Sequence, residues 1–193
     1  MNTPNKLTIA RIIATPFFMA ALMIDFPFHY TVALILFIAA SLTDMIDGKL
    51  ARKYNMITDF GKFLDPLADK MLTTAAFLGF IKMGIGWQVT WIAFIVLFRE
   101  FLISSLRLVV VSSGGRVIAA NMWGKCKTVS QMAGIIVALL AYALISDFGL
   151  NNALFVSVCN IIISILFWAS AVLCIISGVI YLKDSKEYID PSK

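Results

Sequence analysis

Apolar residues fall into six long blocks separated by short polar breaks. The first block covers residues 7–24 and stops at a Pro-containing turn, 25–29. The second covers 30–52 and is followed by a polar turn, 53–58. The third covers 59–80, with Pro66 near its start and a Gly-containing turn, 82–86, after it. The fourth covers 87–112. A polar link, 113–127, separates it from the fifth, 128–146. After a turn at 147–152, the sixth block covers 153–182, and a polar tail, 183–193, is expected to fray. Each block is close to the length of about 20 residues that a membrane-crossing helix needs. The residues before the first block are too few and too weakly charged for a signal peptide, so that block counts as helix 1. The pattern predicts an all-α chain of six helices.

Composition makes the membrane reading firm. Hydrophobic residues make up 61% of the 193 positions and charged residues 14%. Soluble domains run at about 45–50% and about 25%. A water-soluble enzyme, a disordered chain and a disulfide-stapled secreted domain are therefore excluded as classes. Six spans use about 120 residues, which leaves no room for a separate soluble domain. Residues 1–193 are expected to form one polytopic membrane domain.

Charge sets the expected orientation. The net charge is +5, from 16 basic and 11 acidic side chains. In a soluble protein this would suggest nucleic acid; here the loop bias of membrane proteins accounts for it, and no nucleic-acid partner is expected. Anionic lipid or a phosphorylated substrate is an additional possibility. Lys6, Lys49, Arg52, Lys53, Arg116, Lys125, Lys127, Lys183, Lys186 and Lys193 fall on one side, against Lys82 on the other. The positive side is cytoplasmic by rule, so both termini are expected there. The three cysteines lack metal or redox spacing and read as small core residues. His29 reads as a loop residue rather than a ligand.

Several charges lie within the predicted spans, where an Asp costs about 2.5–3.5 kcal/mol at a helix centre. Asp44 and Asp47, three apart, share a face of helix 2, and Asp65 and Asp69, four apart, share a face of helix 3. At about 1.5 Å per residue, both pairs lie about 9–15 Å from the intervening turn. Helices 2 and 3, joined by a short turn, are expected to be antiparallel neighbours, so that four carboxylates can face one another at one depth. Such a group repels itself unless protonated or bound to cations. Oxygen ligands without His or Cys suit Mg²⁺, Mn²⁺ or Ca²⁺, and two ions there would suit phosphoryl transfer. Two other readings remain at this point: helix-end acids paired with Lys49, Arg52, Lys62 and Lys70, or a proton or cation relay in a transporter.

The stretch Asp44, Asp47, Gly48, Ala51, Arg52, Gly61, Asp65, Asp69 fits D-x2-D-G-x2-A-R-x8-G-x3-D-x3-D at every fixed position. In this the chain resembles the CDP-alcohol phosphotransferase family. The resemblance implies a six-helix homodimeric enzyme of the bacterial cytoplasmic membrane, with its site open to the cytoplasm. It implies that Asp44, Asp47, Asp65 and Asp69 hold two divalent cations, Mg²⁺ or Mn²⁺, and that Asp69 is the general base. It also implies that Gly48, Ala51, Arg52 and Gly61 line the pocket for CDP-diacylglycerol.

The remaining segments, Asn5 to Arg11, Phe98-Arg99-Glu100, Leu106-Arg107 and Trp123 to Thr128, extend the likeness over most of the chain. They resemble the branch of the family whose acceptor is sn-glycerol 3-phosphate. Its phosphate is expected on Arg107, Arg116 and Lys125, with Lys127 beside them; the alternative is an ordinary positive-inside loop with one Arg99–Glu100 structural pair. Asn5, Thr8 and Arg11, three apart on helix 1, are expected at a phosphate or at the motif aspartates. Thr8 is expected on the CDP-diacylglycerol side and Arg11 on the glycerol-phosphate side, unless Arg11 snorkels to lipid headgroups.

Overall fold

The computed structural model describes residues 2–53, 59–112 and 122–185; within these, the side chains of 3–4, 45, 47–53, 59–60, 62–63, 65 and 111–112 are outside the description. Every regular element among the described residues is helical. In chain order they form α1 (Thr3–Met23), α2 (His29–Lys53), α3 (Asp59–Met83), α4 (Val89–Ser112), α5 (Met122–Tyr142), a π-helical turn (Ala143–Asp147) and α6 (Ala153–Asp184). Three helices, at Asn5–Met23, Met122–Asp147 and Ala153–Asp184, are long and apolar enough to cross a membrane. Large apolar side chains stand exposed along α4 (Trp91, Phe94, Phe98, Phe101, Leu108) and α6 (Leu154, Ile161, Ile165, Val172). Water does not tolerate such a surface on a monomer, whereas hydrocarbon does.

Helix ends follow local chemistry. α1 starts four residues earlier than its apolar block because the Asn2 side chain accepts from Asn5 N at 3.1 Å, with a proline in the first turn. α3 closes in a paired-bond cap: Ile85 N donates to Phe80 O at 2.9 Å and Gly84 N to Ile81 O at 3.3 Å. Gly84 has φ +66° there, a conformation glycine adopts without Cβ strain. His29 is no loop residue. It opens α2, is buried, and its Nδ1 donates to Ala21 O at 3.2 Å.

The largest departure from the sequence pattern is at α5, which begins at Met122 rather than Thr128. Lys125 and Lys127 therefore ride on a helix, not on a link. The polar residues at 124–128 conceal a helical face, since Lys127 is buried while Lys125 and Cys126 are exposed. Cys126 is thus not a core residue, whereas Cys174 is. At its far end, α5 widens into the π turn, where Phe148 N reaches Ala143 O at 3.1 Å. That extra residue per turn brings Asp147 to the start of α2, where Thr31 N and Oγ1 both donate to its Oδ2 at 2.7 Å.

The chain divides into two compact units. The first comprises Met1–Ile85 with Ile135–Asn160. In it α1 packs along both α2 and α3, while the described parts of α2 and α3 barely touch each other. Among the described residues, α1 is thus the helix that holds α2 and α3 together. The reason is steric: Phe18 and Leu22 of α1 are fully buried, with Phe18 against Phe37 of α2 at 5.6 Å between ring centroids. On the α3 side, a Cβ at Gly79 would stand 2.6 Å from Leu22 Cδ1, so the glycine admits α1 closely.

The second unit comprises Gly86–Gly134 with Ile161–Lys193. α5 and α6 meet at Gly134, where a Cβ would lie 2.8 Å from the Phe167 ring. α4 enters through Trp87, whose N–H donates to Ser164 Oγ at 2.9 Å.

Candidate functional site

In the first unit the site grows from α1. Asn5, Thr8, Arg11 and Thr15 are all buried, although each is polar. Their 3-3-4 spacing puts them on one stripe of the helix. Thr15 Oγ1 returns to Arg11 O at 3.0 Å, so its hydroxyl is satisfied within the helix. Arg11 is 2% exposed, and its Nη1 donates to Asp44 Oδ1 of α2 in a short ion pair. Of the three expectations for Arg11, a phosphate, a motif aspartate or lipid headgroups, the contact present is with a motif aspartate. Snorkelling to headgroups is excluded by its burial.

Asp44 is held from one side only, since its side chain remains 48% exposed. Asp69 on α3 is also exposed, and Gly61 near the start of α3 is buried. Asp47, Gly48, Ala51 and Arg52 belong to α2 and Asp65 to α3, but their side chains lie outside the described residues. Among the described residues, no three His, Cys, Asp or Glu side chains come together. The donor chemistry nevertheless fits a hard dication: the motif supplies carboxylate oxygens alone, with no thiol or imidazole among them.

The second unit holds a separate ionic group. Glu100 Oε1 accepts from Lys127 Nζ at 2.7 Å and from Arg99 Nη1 at 3.0 Å. Arg99 Nη2 also donates to Ser177 Oγ of α6 at 2.6 Å. Gly178 makes room for this, because a Cβ there would lie 3.3 Å from Arg99 Cγ. The Arg99–Glu100 pair of the alternative reading is present, within a three-helix group that the sequence did not reveal. Lys127 is buried within it, and Gln131, one turn on along α5, is buried too. Arg107 and Lys125 are exposed, whereas Arg116 lies outside the described residues. The one available signal for the group was the run of ionisable residues inside apolar blocks, which by itself names no partners.

Comparison with known proteins adds a second line of evidence. A family model described as CDP-alcohol phosphatidyltransferase matches residues 1–180. A Bacillus subtilis protein named CDP-diacylglycerol–glycerol-3-phosphate 3-phosphatidyltransferase is 36% identical, over 99% of this chain and 98% of its own length. A protein of the same name from Rickettsia bellii is 36% identical over 97% of each chain. Another, from Haemophilus influenzae, is 36% identical over 96% of this chain and 94% of its own.

Proposed function

The chain belongs to the CDP-alcohol phosphatidyltransferase family, and from that premise we propose that it transfers a phosphatidyl group from CDP-diacylglycerol to sn-glycerol 3-phosphate. The products are phosphatidylglycerophosphate and CMP. The observation that carries this reading is identity along nearly the whole chain to relatives named for that reaction. The complete eight-position motif from Asp44 to Asp69 supports it.

In this reading the six helices are six membrane crossings of one domain in a homodimer, with both termini cytoplasmic. The basic residues at 49–53 and 116–127 support that orientation. The apolar part of α2 is His29–Asp44. Its length of about 24 Å, at about 1.5 Å per residue, falls just short of a hydrocarbon core of about 30 Å. The acid motif therefore begins where hydrocarbon gives way to the cytoplasmic interface. A lipid substrate can reach it from the bilayer and a soluble acceptor from water.

Asp44, Asp47, Asp65 and Asp69 would hold two divalent cations, Mg²⁺ or Mn²⁺. Bound there, such ions supply positive charge to the pyrophosphate and the departing CMP. Gly48, Ala51, Arg52 and Gly61 line the cytidine diphosphate pocket, with Thr8 beside it. Glycine at 48 and 61 lets the ligand approach the backbone closely. Arg107, Arg116 and Lys125 bind the acceptor phosphate. Lys127 is committed to Glu100, so it contributes its field rather than a direct bond.

Asp69 accepts the proton from the C1 hydroxyl of glycerol 3-phosphate. The oxygen then bonds to the phosphorus that carries diacylglycerol, and the bond from that phosphorus to the CMP oxygen breaks. The test is release of labelled CMP from CDP-diacylglycerol by purified protein, given glycerol 3-phosphate, phosphatidylglycerol, serine or inositol phosphate in turn. Turnover with glycerol 3-phosphate alone is expected; turnover with another acceptor and none with glycerol 3-phosphate overturns the assignment.

A further inference from the structure

Arg11 has a task that the motif does not account for. It lies on the buried stripe of α1, its side chain is 1% exposed, and it is paired with Asp44, 33 residues away on another helix. An arginine inside an apolar span is costly unless it is paired. A guanidinium enclosed this fully can meet a diffusible acceptor only by giving up both its enclosure and its partner. Asp44 is in the complementary state, pinned by Arg11 on the protein side and 48% exposed on the other. A carboxylate fixed by one oxygen and open elsewhere is presented, not buried.

We propose that Arg11 is a positioning residue that acts through Asp44, turning that carboxylate toward the divalent cation, and that it does not bind the acceptor phosphate. The proposal rests on the reading of Asp44 as a cation ligand. Two opposing effects are expected at such a site. The positive charge of Arg11 repels an incoming cation, while its hydrogen bond removes the rotational freedom that Asp44 would otherwise lose on binding. Arg11→Lys separates them, since it keeps the charge and replaces the rigid planar guanidinium that donates to Asp44 Oδ1 by a flexible ammonium.

The experiment is Mn²⁺ binding by electron paramagnetic resonance on substrate-free protein, in the double-mutant cycle of Arg11→Lys and Asp44→Asn. Loss of an outer-shell partner weakens metal binding by about 10- to 100-fold, and Arg11→Lys should fall within that range. In the Asp44→Asn background, Arg11→Lys should change nothing further, because the residue through which it acts is already altered. The KM for glycerol 3-phosphate at saturating Mn²⁺ should stay within about twofold of the parent, the resolution of additivity arguments.

Additive effects, or parental Mn²⁺ binding with a raised KM for glycerol 3-phosphate, would overturn the proposal and leave the two-cation reading standing. A parent protein that binds no Mn²⁺ would overturn that reading and the proposal with it. If Arg11→Lys does not fold, Arg11→Gln combined with Asp44→Asn removes both charges together. That pair should then bind Mn²⁺ at least as tightly as Asp44→Asn alone, since the repulsion from Arg11 is gone, and any further loss of affinity counts against the proposal.

Discussion

Replacing Glu100 by Gln should destabilise the protein far more than replacing Lys127 by Met, although the two residues form the same ion pair. Glu100 Oε1 accepts from both Lys127 and Arg99, at 2.7 Å and 3.0 Å. All three side chains are largely enclosed, with 7%, 16% and 20% exposed for Lys127, Arg99 and Glu100. Lys127→Met leaves Arg99 and Glu100 as a neutral pair, so the loss is one charge-assisted hydrogen bond, about 1.5–3 kcal/mol. Glu100→Gln instead leaves two cations without a counter-charge. Breaking a buried pair in that way costs about 3–5 kcal/mol. For a chain of this length, about 2–4 °C of melting temperature accompanies each kcal/mol, so Glu100→Gln should melt roughly 6–20 °C below the parent. The double variant should lie between the single ones, because removing Lys127 relieves half of the uncompensated charge. Thermal unfolding in one detergent, followed by circular dichroism, measures all four proteins. A Lys127→Met protein that melts as low as Glu100→Gln, or lower, would refute the charge argument.

Three further outcomes follow from the geometry. Asp147→Ala removes the acceptor for Thr31 N and Oγ1; a lost cap costs about 0.5–2 kcal/mol, so the melting temperature should fall by a few degrees while both KM values hold. Gly134→Ala puts a methyl group 2.8 Å from the Phe167 ring, and overpacking of about 1–3 kcal/mol should appear as faster thermal inactivation; parental stability would mean that the ring yields freely. Arg107→Ala and Lys125→Ala should each raise the KM for glycerol 3-phosphate by about 10- to 100-fold, the loss of one charge-assisted hydrogen bond, with the KM for CDP-diacylglycerol little changed. Steady-state kinetics with each substrate varied in turn checks this, and an unchanged acceptor KM in both variants would remove these residues from the acceptor site.

The parts of the structure that were legible in the sequence are those encoded locally. Six apolar blocks marked six helices, and the acids from Asp44 to Asp69 fall on α2 and α3 as the block pattern required, while the side chains of Asp47 and Asp65 lie outside the described residues. Gly84 and Gly86 marked the end of α3 for an equally local reason.

What stayed hidden depends on tertiary partners. The first turns of α5 read as a polar link because the partner of Lys127, Glu100, is 27 residues away. The π turn at Ala143–Asp147 has no local signature; its visible consequence is the bond to Thr31, 116 residues away. The role of α1 between α2 and α3 was likewise not evident, since a short connection suggests that the helices it joins are neighbours. Arg11 could be assigned to a phosphate, an aspartate or a headgroup from sequence, and its burial against Asp44 separates these.

The measurement closest to the central claim follows the acceptor oxygen itself. Glycerol 3-phosphate carrying ¹⁸O in the C1 hydroxyl is incubated with CDP-diacylglycerol, protein and Mg²⁺, and lipid and nucleotide products are read by mass spectrometry. If that hydroxyl attacks the phosphorus bearing diacylglycerol, all the label stays in the phosphatidylglycerophosphate and the CMP carries none. Label in the CMP, or a lipid product without ¹⁸O, would contradict the account.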